Sequence, residues 1–486
     1  MSPDPVVNMQ RGGRVLPRGK LTISSHVMPG LVVLLDSVAI LSSAAILYAI
    51  LVGDTIEGDE IYIAAAAFIW LINLLLLNFA GLYQFEAILR PLAFADKIIL
   101  VFVTTFLFLL AAAFSVKIST TFSRLWIGSF AIAACIVTFA FRIAIGHLVK
   151  RLADVRVFTR NAVVVGVGQQ ARILLDYLDK SPSRFISILG VFADRKADSG
   201  LAFGQFPILG SIDEVDTFVR NKAIDDVLIA LPWSADQQIS NLVGKLRELP
   251  VNVYLSTDLV GFRLSFRQPP DHFGGIPLVE VMGRPLAGWG AVRKTILDYV
   301  LGFILTLVLL PVMAVIAIAI KLDSSGPVLF RQKRYGFSNH VFDIYKFRTM
   351  RNEPEPPGGK TVQATRDDPR VTRLGRFLRS MSLDELPQLF NVLNGTMSLV
   401  GPRPHAIDHN EEYAKSIRGY FARHRVKPGL TGWAQVNGLR GETKTVEAME
   451  ARVKHDIYYV ENWSLFFDLQ ILAMTGIICL TRRNAY

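Results

Sequence analysis

The chain is poor in the residues and patterns that mark several common chemistries. It has two cysteines in 486 residues, Cys135 and Cys479, both inside apolar stretches. That excludes a disulfide framework and a cysteine-rich metal site. No zinc-finger spacing and no aromatic platform for RNA occurs, so nucleic acid is not an expected partner. None of the thirteen tyrosines has a lysine four residues later. The Tyr-x-x-x-Lys pair of membrane-bound nucleotide-sugar dehydratases is therefore missing. Residues 1–29 hold Arg11, Arg14, Arg18 and Lys20 but no compact apolar core with a small-residue cleavage site. They read as a basic flexible tail rather than a signal peptide. There are no internal repeats.

What is abundant is apolar residues and positive charge. The chain is 51% hydrophobic, and 52 Lys and Arg against 41 Asp and Glu leave a net charge of +11. With membrane segments, that balance favours an anionic membrane face or phosphorylated ligands. Four apolar runs, about 30–52, 61–83, 97–116 and 125–148, can each cross a bilayer core of about 30 Å. They define a four-helix transmembrane bundle over 30–150. The first connector holds Asp54, Glu57, Asp59 and Glu60, whereas Arg90, Lys97, Lys150, Arg151, Arg156 and Arg160 flank the other side. Positive-inside counting places both termini in the cytoplasm, with Lys117 and Arg124 outvoted.

Residues 158–270 read as a Rossmann-like α/β domain. Ala162 to Val165 is a buried strand entering a glycine turn, a helical pattern follows from Gln169 to Leu178, and 227–231 and 251–255 are further strands. The glycine motif is incomplete, with Ala171 at its third position, so a bound dinucleotide and a purely structural or regulatory domain both stay open.

Segment 295–321 is a fifth apolar stretch with basic residues on both sides: Arg284, Arg293 and Lys294 before, Lys321, Arg331, Lys333 and Arg334 after. Pro311 lies in its middle and would remove a helical hydrogen bond, at a cost of about 3 kcal/mol. The expectation is a re-entrant helix-break-helix returning to the same membrane face, with an ordinary fifth span as the alternative. Asp298 is expected at the interface. Glu353 to Gly359 reads as a flexible loop. Trp463 to Leu480 reads as an interfacial helix, or else a core helix.

The densest chemistry is Ser382-Leu-Asp384-Glu385-Leu-Pro387, preceded by Arg366, Arg370, Arg373, Arg376 and Arg379 and followed by Gly401-Pro-Arg403-Pro404. Arginine forks match phosphate oxygens. The pair then reads as a nucleophile or metal ligand facing phosphates, or as a salt-bridged helix start. Ser382 and Glu385 have capping-box spacing, which puts Asp384 in a first helical turn. The helix end and arginines would favour an ionised Asp384, able to attack phosphorus. Mg²⁺ often accompanies such chemistry. Glu385 points about 100° away and suits a second role such as general base.

Five segments, Phe330 to Gly336, Tyr345 to Met350, Ser382 to Leu393, Ser398 to Pro404 and Lys427 to Gly438, occur in order over about 110 residues. Together they resemble the bacterial polyprenyl-phosphate sugar-1-phosphate transferases, the monotopic phosphoglycosyl transferases. The four spans and middle domain resemble the long members. The resemblance implies a mainly α catalytic domain over 285–486 with a re-entrant helix bent at Pro311, where Leu310 replaces a frequent polar residue. It implies transfer of sugar-1-phosphate from a UDP-sugar to undecaprenyl phosphate, with release of UMP, on the cytoplasmic face of the bacterial inner membrane. This would begin exopolysaccharide, capsule or O-antigen assembly. By likeness Asp384 is nucleophile and Mg²⁺ ligand, Glu385 its partner, and Lys346, Arg379, Arg403 and Asp456 meet phosphates and nucleotide. A homodimer is suggested by the long members.

Gly438 to Thr443 and Met449 to Val453 look like members that transfer glucose-1-phosphate; galactose-1-phosphate is the alternative. A scaffold or sensor acting through the middle domain is the non-enzymatic rival.

Overall fold

A computed structural model describes residues 27–53, 59–115, 117, 123–154, 160–180, 186–193, 202–222, 224–256, 278–351, 368–439, 441 and 445–481. Outside these lie most of the basic tail, the 353–359 loop, Arg366, and positions 440 and 442–443 of the sugar motif. The chain divides into two units, Gly19–Thr159 and a second formed mainly by Arg160–Tyr486.

The first unit carries four apolar helices, Met28–Leu51, Asp59–Phe79, Ala95–Ser115 and Arg124–Asp154. At 1.5 Å per residue the shortest of these spans about 31 Å, enough for a bilayer core. With Gly288–Asp323, they are five helices long and apolar enough to cross a membrane among the described residues; this is a membrane protein. A charge inside such a helix must be compensated. Arg142 Nη2 lies 2.6 Å from Asp36 Oδ2, and Arg142 Nη1 donates to the Leu82 carbonyl at 2.9 Å. Tyr83 donates its hydroxyl to the same carboxylate at 3.0 Å.

The second unit begins with a seven-stranded sheet. Its strands are β1 (Arg160–Val165), β2 (Ile186–Ala193), β3 (Ala202–Phe203), β4 (Phe206–Ser211), β5 (Asp226–Ile229), β6 (Asn252–Ser256) and β7 (Leu278–Met282), in the order β3-β4-β2-β1-β5-β6-β7. The five central strands are parallel and both edge strands antiparallel. β1 and β5 are almost wholly buried because helices cover both faces, which explains their continuous apolar runs. The apolar runs identified β1, β5 and β6; the interior strands β2 and β4 and the edge strands β3 and β7 escaped the sequence reading.

The rest of this unit holds the helix Gly288–Asp323, a hairpin of β8 (Leu329–Tyr335) and β9 (Val341–Phe347), and a parallel pair, β10 (Ser398–Val400) and β11 (Gly429–Thr431). Short helices fill the remainder, ending with Val446–Glu461 and Leu465–Thr481. The domain is mainly helical, as expected, but two small sheets position its site.

Gly288–Asp323 runs as one unbroken helix through Pro311, not as two helices with a gap. Proline removes one hydrogen bond without stopping the helix, because neighbours fix it on both sides. Leu301, Leu305 and Leu309 pack with Leu389, Val392 and Ile471, while Met313, Ile316 and Ile320 pack with Phe347 and Leu378. Asp298 is enclosed by protein groups. It is buried, accepts from Ser398 Oγ and the Leu399 amide at 3.0 Å each, and lies 3.3 Å from Lys294. Lys294 in turn donates to Asp468 at 2.8 Å and to the Val400 carbonyl at 3.0 Å. Two of the three residues expected as a basic membrane flank are thus spent inside the protein, since Arg284 pairs with Asp225 at 2.7 Å. Leu465–Thr481 joins both expected roles: Asp468 and Ile471 are buried, whereas Phe466 and Ile477 are exposed.

Candidate active site

Four elements converge on the carboxylate pair. β9 brings Lys346, the helix Arg373–Ser380 brings Arg379, a single 3-10 turn Leu383–Glu385 brings both carboxylates, and the loop after β10 brings Arg403. The capping box is not formed. Ser382 is left-handed, with φ 58°, and its side chain caps nothing. Glu385 faces cations instead. A non-glycine residue held in that region carries conformational cost, a feature common at functional sites.

Glu385 is buried and takes Lys346 Nζ at 2.8 Å and a two-point fork from Arg403, at 2.5 and 3.0 Å. These charges hold it well below the usual glutamate range despite burial. Asp384 beside it is half-buried and makes no hydrogen bond or ion pair among the described residues. Its carboxyl is pushed up, first by desolvation and then by the Glu385 charge; Lys346, Arg379 and Arg403 oppose this. The expected ionising influence of the arginines falls mainly on Glu385, because two of the cations point at it.

Arg379 Nε donates to Thr349 Oγ1 at 2.9 Å. The contact requires glycine at 375, where a Cβ would lie 2.1 Å from the Thr349 carbonyl oxygen. Arg403 is steered from behind. Arg423, fully buried, donates to the Arg403 carbonyl at 2.6 Å and pairs with Asp456 at 2.7 Å. Asp456 is therefore buried against Arg423, not among the cations around Glu385. His405, held neutral by burial and by Arg423, accepts from that same guanidinium at 2.5 Å.

Sequence reasoning missed Arg334, Arg423, Thr349 and the Lys294–Asp298–Asp468 group. Arg334 sits within a quoted segment yet looks like any basic residue there. Thr349 likewise sits in a quoted segment, and Lys294 and Asp298 are four residues apart on one helix, but Asp468 and the Arg403 carbonyl that Arg423 holds are distant in sequence. Among the described residues no three His, Cys, Asp or Glu cluster as a metal site.

The bacterial sugar transferase family matches residues 289–482, and a CoA-binding domain family matches 78–257. A UDP-glucose:undecaprenyl-phosphate glucose-1-phosphate transferase of Xanthomonas campestris pv. campestris is 38% identical, over 77% of this chain and 78% of its own. One of the same name from Escherichia coli K12 is 39% identical, over 67% and 69%. A UDP-N-acetylgalactosamine-undecaprenyl-phosphate N-acetylgalactosaminephosphotransferase of Aeromonas hydrophila is 44% identical over 34% of this chain and 38% of its own. A likeness of that extent to full-length relatives, on a carboxylate pair ringed by phosphate-matching cations, means that the chain belongs to the bacterial polyprenyl-phosphate sugar-1-phosphate transferases.

Proposed function

We propose that the protein transfers glucose-1-phosphate from UDP-glucose to undecaprenyl phosphate through an aspartyl intermediate, releasing UMP. The observation that carries this reading is the division of labour between adjacent carboxylates. Glu385 is neutralised by two cations, while Asp384 is half-buried and has no hydrogen-bond or ion-pair partner among the described residues. In the first step an Asp384 oxygen bonds to the sugar-bearing β-phosphorus. The bridging P–O bond breaks, and its oxygen leaves with UMP. In the second, a phosphate oxygen of the lipid attacks the same phosphorus and frees Asp384. Splitting the transfer means that a soluble nucleotide sugar and a membrane lipid need not meet at once. Lys346, Arg379 and Arg403 are placed to take up charge on the phosphoryl oxygens.

The donor set fits Mg²⁺ in a limited way. Both Glu385 oxygens are taken by cations, so among the described residues Asp384 would supply the protein carboxylate, with diphosphate and water completing the shell. When bound, the ion would supply charge neutralisation on the diphosphate.

Glucose is favoured by the names of the long relatives. The Aeromonas relative, named for another sugar, is 44% identical over 34% of this chain, so turnover must decide. Purified protein with undecaprenyl phosphate, Mg²⁺ and a panel of UDP-hexoses should release UMP, fastest from UDP-glucose, and Asp384→Asn should abolish it. UDP release would refute the mechanism, and no release from any UDP-hexose would return the scaffold reading.

The long helix is read as re-entrant, with the site on the cytoplasmic face. Both its ends are anchored to one domain: Lys294 to Val400 and Asp468, and the final turn to Arg348, which donates to the Ser324 carbonyl at 2.6 Å. Leu322 is 84% exposed. A cysteine there should resist an impermeant thiol reagent applied outside the cell; labelling would instead establish a fifth span.

A further inference from the structure

Arg334 lies beside the site and is absent from the roles assigned above. It is on β8, and its cation is isolated from any acid of its own. Nη1 donates to the Pro404 carbonyl at 3.3 Å and Nη2 to the side-chain oxygen of Gln332 at 2.5 Å. Nε is buried with no acceptor. No ion pair to Arg334 forms among the described residues. The guanidinium is largely withdrawn from water and its pKa is lowered to about 10, by desolvation and then by Arg403, with Glu385 opposing. Glu385 already serves Lys346 and Arg403.

A buried cation without an anion is unfavourable in the free protein, and a donor without an acceptor adds to the cost. A site that keeps such a group is incomplete until an anion enters. The position of Arg334 narrows which anion. The charges acting most strongly on Asp384 are Glu385, Lys346, Arg379 and Arg403, and Arg334 is not among them. Arg334 stands on the Arg403 side of the site, against the Pro404 carbonyl.

We infer that Arg334 binds the phosphate of the leaving nucleotide, next to Arg403 and away from the phosphorus that Asp384 attacks. This rests on the reading of the site as a phosphotransferase centre. Lys346 and Arg379 then face the transferred phosphoryl group, while Arg334 and Arg403 receive the charge that develops on UMP as the bridging bond breaks. Charge-assisted forks of this kind are the strong hydrogen bonds of phosphate recognition.

The test uses full-length protein in detergent and measures inhibition of UMP release by UMP and by uridine. Arg334→Gln keeps a donor but no charge, and Arg334→Lys keeps the charge. The glutamine variant should weaken inhibition by UMP about ten- to hundredfold. Uridine inhibition should be unchanged, and lysine should recover most of the loss. Equal UMP inhibition in Arg334→Gln would overturn the inference. So would a matching loss for uridine, or no recovery with lysine, since either marks a residue that only shapes the Pro404 loop. Wild-type protein that releases no UMP from UDP-glucose would instead bring down the reading of the whole site, and the inference with it.

Discussion

At the residue scale the site turns on an inequality between two neighbours. To act as the proposed nucleophile Asp384 would have to lose its proton, and burial and Glu385 raise its pKa above the ordinary aspartate value. The acid limb of kcat/KM should therefore lie above the usual carboxylate range. Lys346 lowers the Asp384 pKa, so Lys346→Met should move that limb to still higher pH, as measured by a pH-rate profile. An unmoved limb would mean that another group titrates. The candidate cluster was legible in sequence, since Asp384, Glu385, Lys346, Arg379 and Arg403 do come together. Their pairing was not. Spacing alone suggested a capping box for Glu385, but the side chain turned to two cations that sequence distance hides.

At the element scale, helices and strands are held by single polar contacts at their ends. Arg348 closes the C-terminus of the long helix, donating to the Ser325 carbonyl at 2.8 Å as well as to Ser324. Charged donors at such carbonyls contribute roughly 2 kcal/mol. Arg348→Ala should lower the unfolding free energy by about that amount and speed hydrogen exchange in the last turn. Lys294 is a stronger case: Lys294→Met would strand Asp298 and Asp468 without their cation, a loss of about 3–5 kcal/mol. The companion prediction is in the first unit, where Arg142→Leu should cost a similar amount by leaving Asp36 alone. Asp36→Leu combined with Arg142→Leu should recover most of it, read as thermal unfolding in nanodiscs. Periodicity marked these helices well, because run length is a local property. It misjudged Asp298 and the basic flank, because whether a charge meets lipid, water or protein depends on what packs there.

At the scale of the whole molecule, the middle domain touches the segment that supports the site. Arg220 lies 5.4 Å over the Phe421 ring, and Arg425 donates to the Gly283 carbonyl at 2.9 Å. Phe421 and Arg425 belong to the turn Tyr420–Arg425, which also contains Arg423, the residue that holds the Arg403 carbonyl. His424 is in the same turn, bonded to Asn339, with its pKa lowered to about 3 by burial, Arg423 and Arg220. His405 is depressed as well, by burial first and then by Arg423, Arg452, Arg334 and Arg403. Both folded values lie below the unfolded value of about 6.5, so the unfolded chain binds more protons. Stability should be complete above about pH 6.5 and fall as pH drops from there toward about 3. Thermal unfolding against pH should show this slope, and His424→Gln should flatten it; an identical slope would assign the effect to other groups.

The sequence by itself determined the apolar spans, the buried parallel strands and the stock of carboxylates and cations. Run length, alternation and motif order are properties of neighbouring residues, and they need no knowledge of the fold. Only the tertiary structure decided which carboxylate is paired and which has no partner among the described residues. Lys346 and Arg403 reach Glu385 from 39 and 18 residues away. It also decided that Asp456 serves Arg423, that Lys294 and Asp298 anchor β10, and that Arg334 is left as a cation in want of an anion. Each of these depends on which distant groups share a low-dielectric space, where one partner more or less changes the sign of the electrostatic balance.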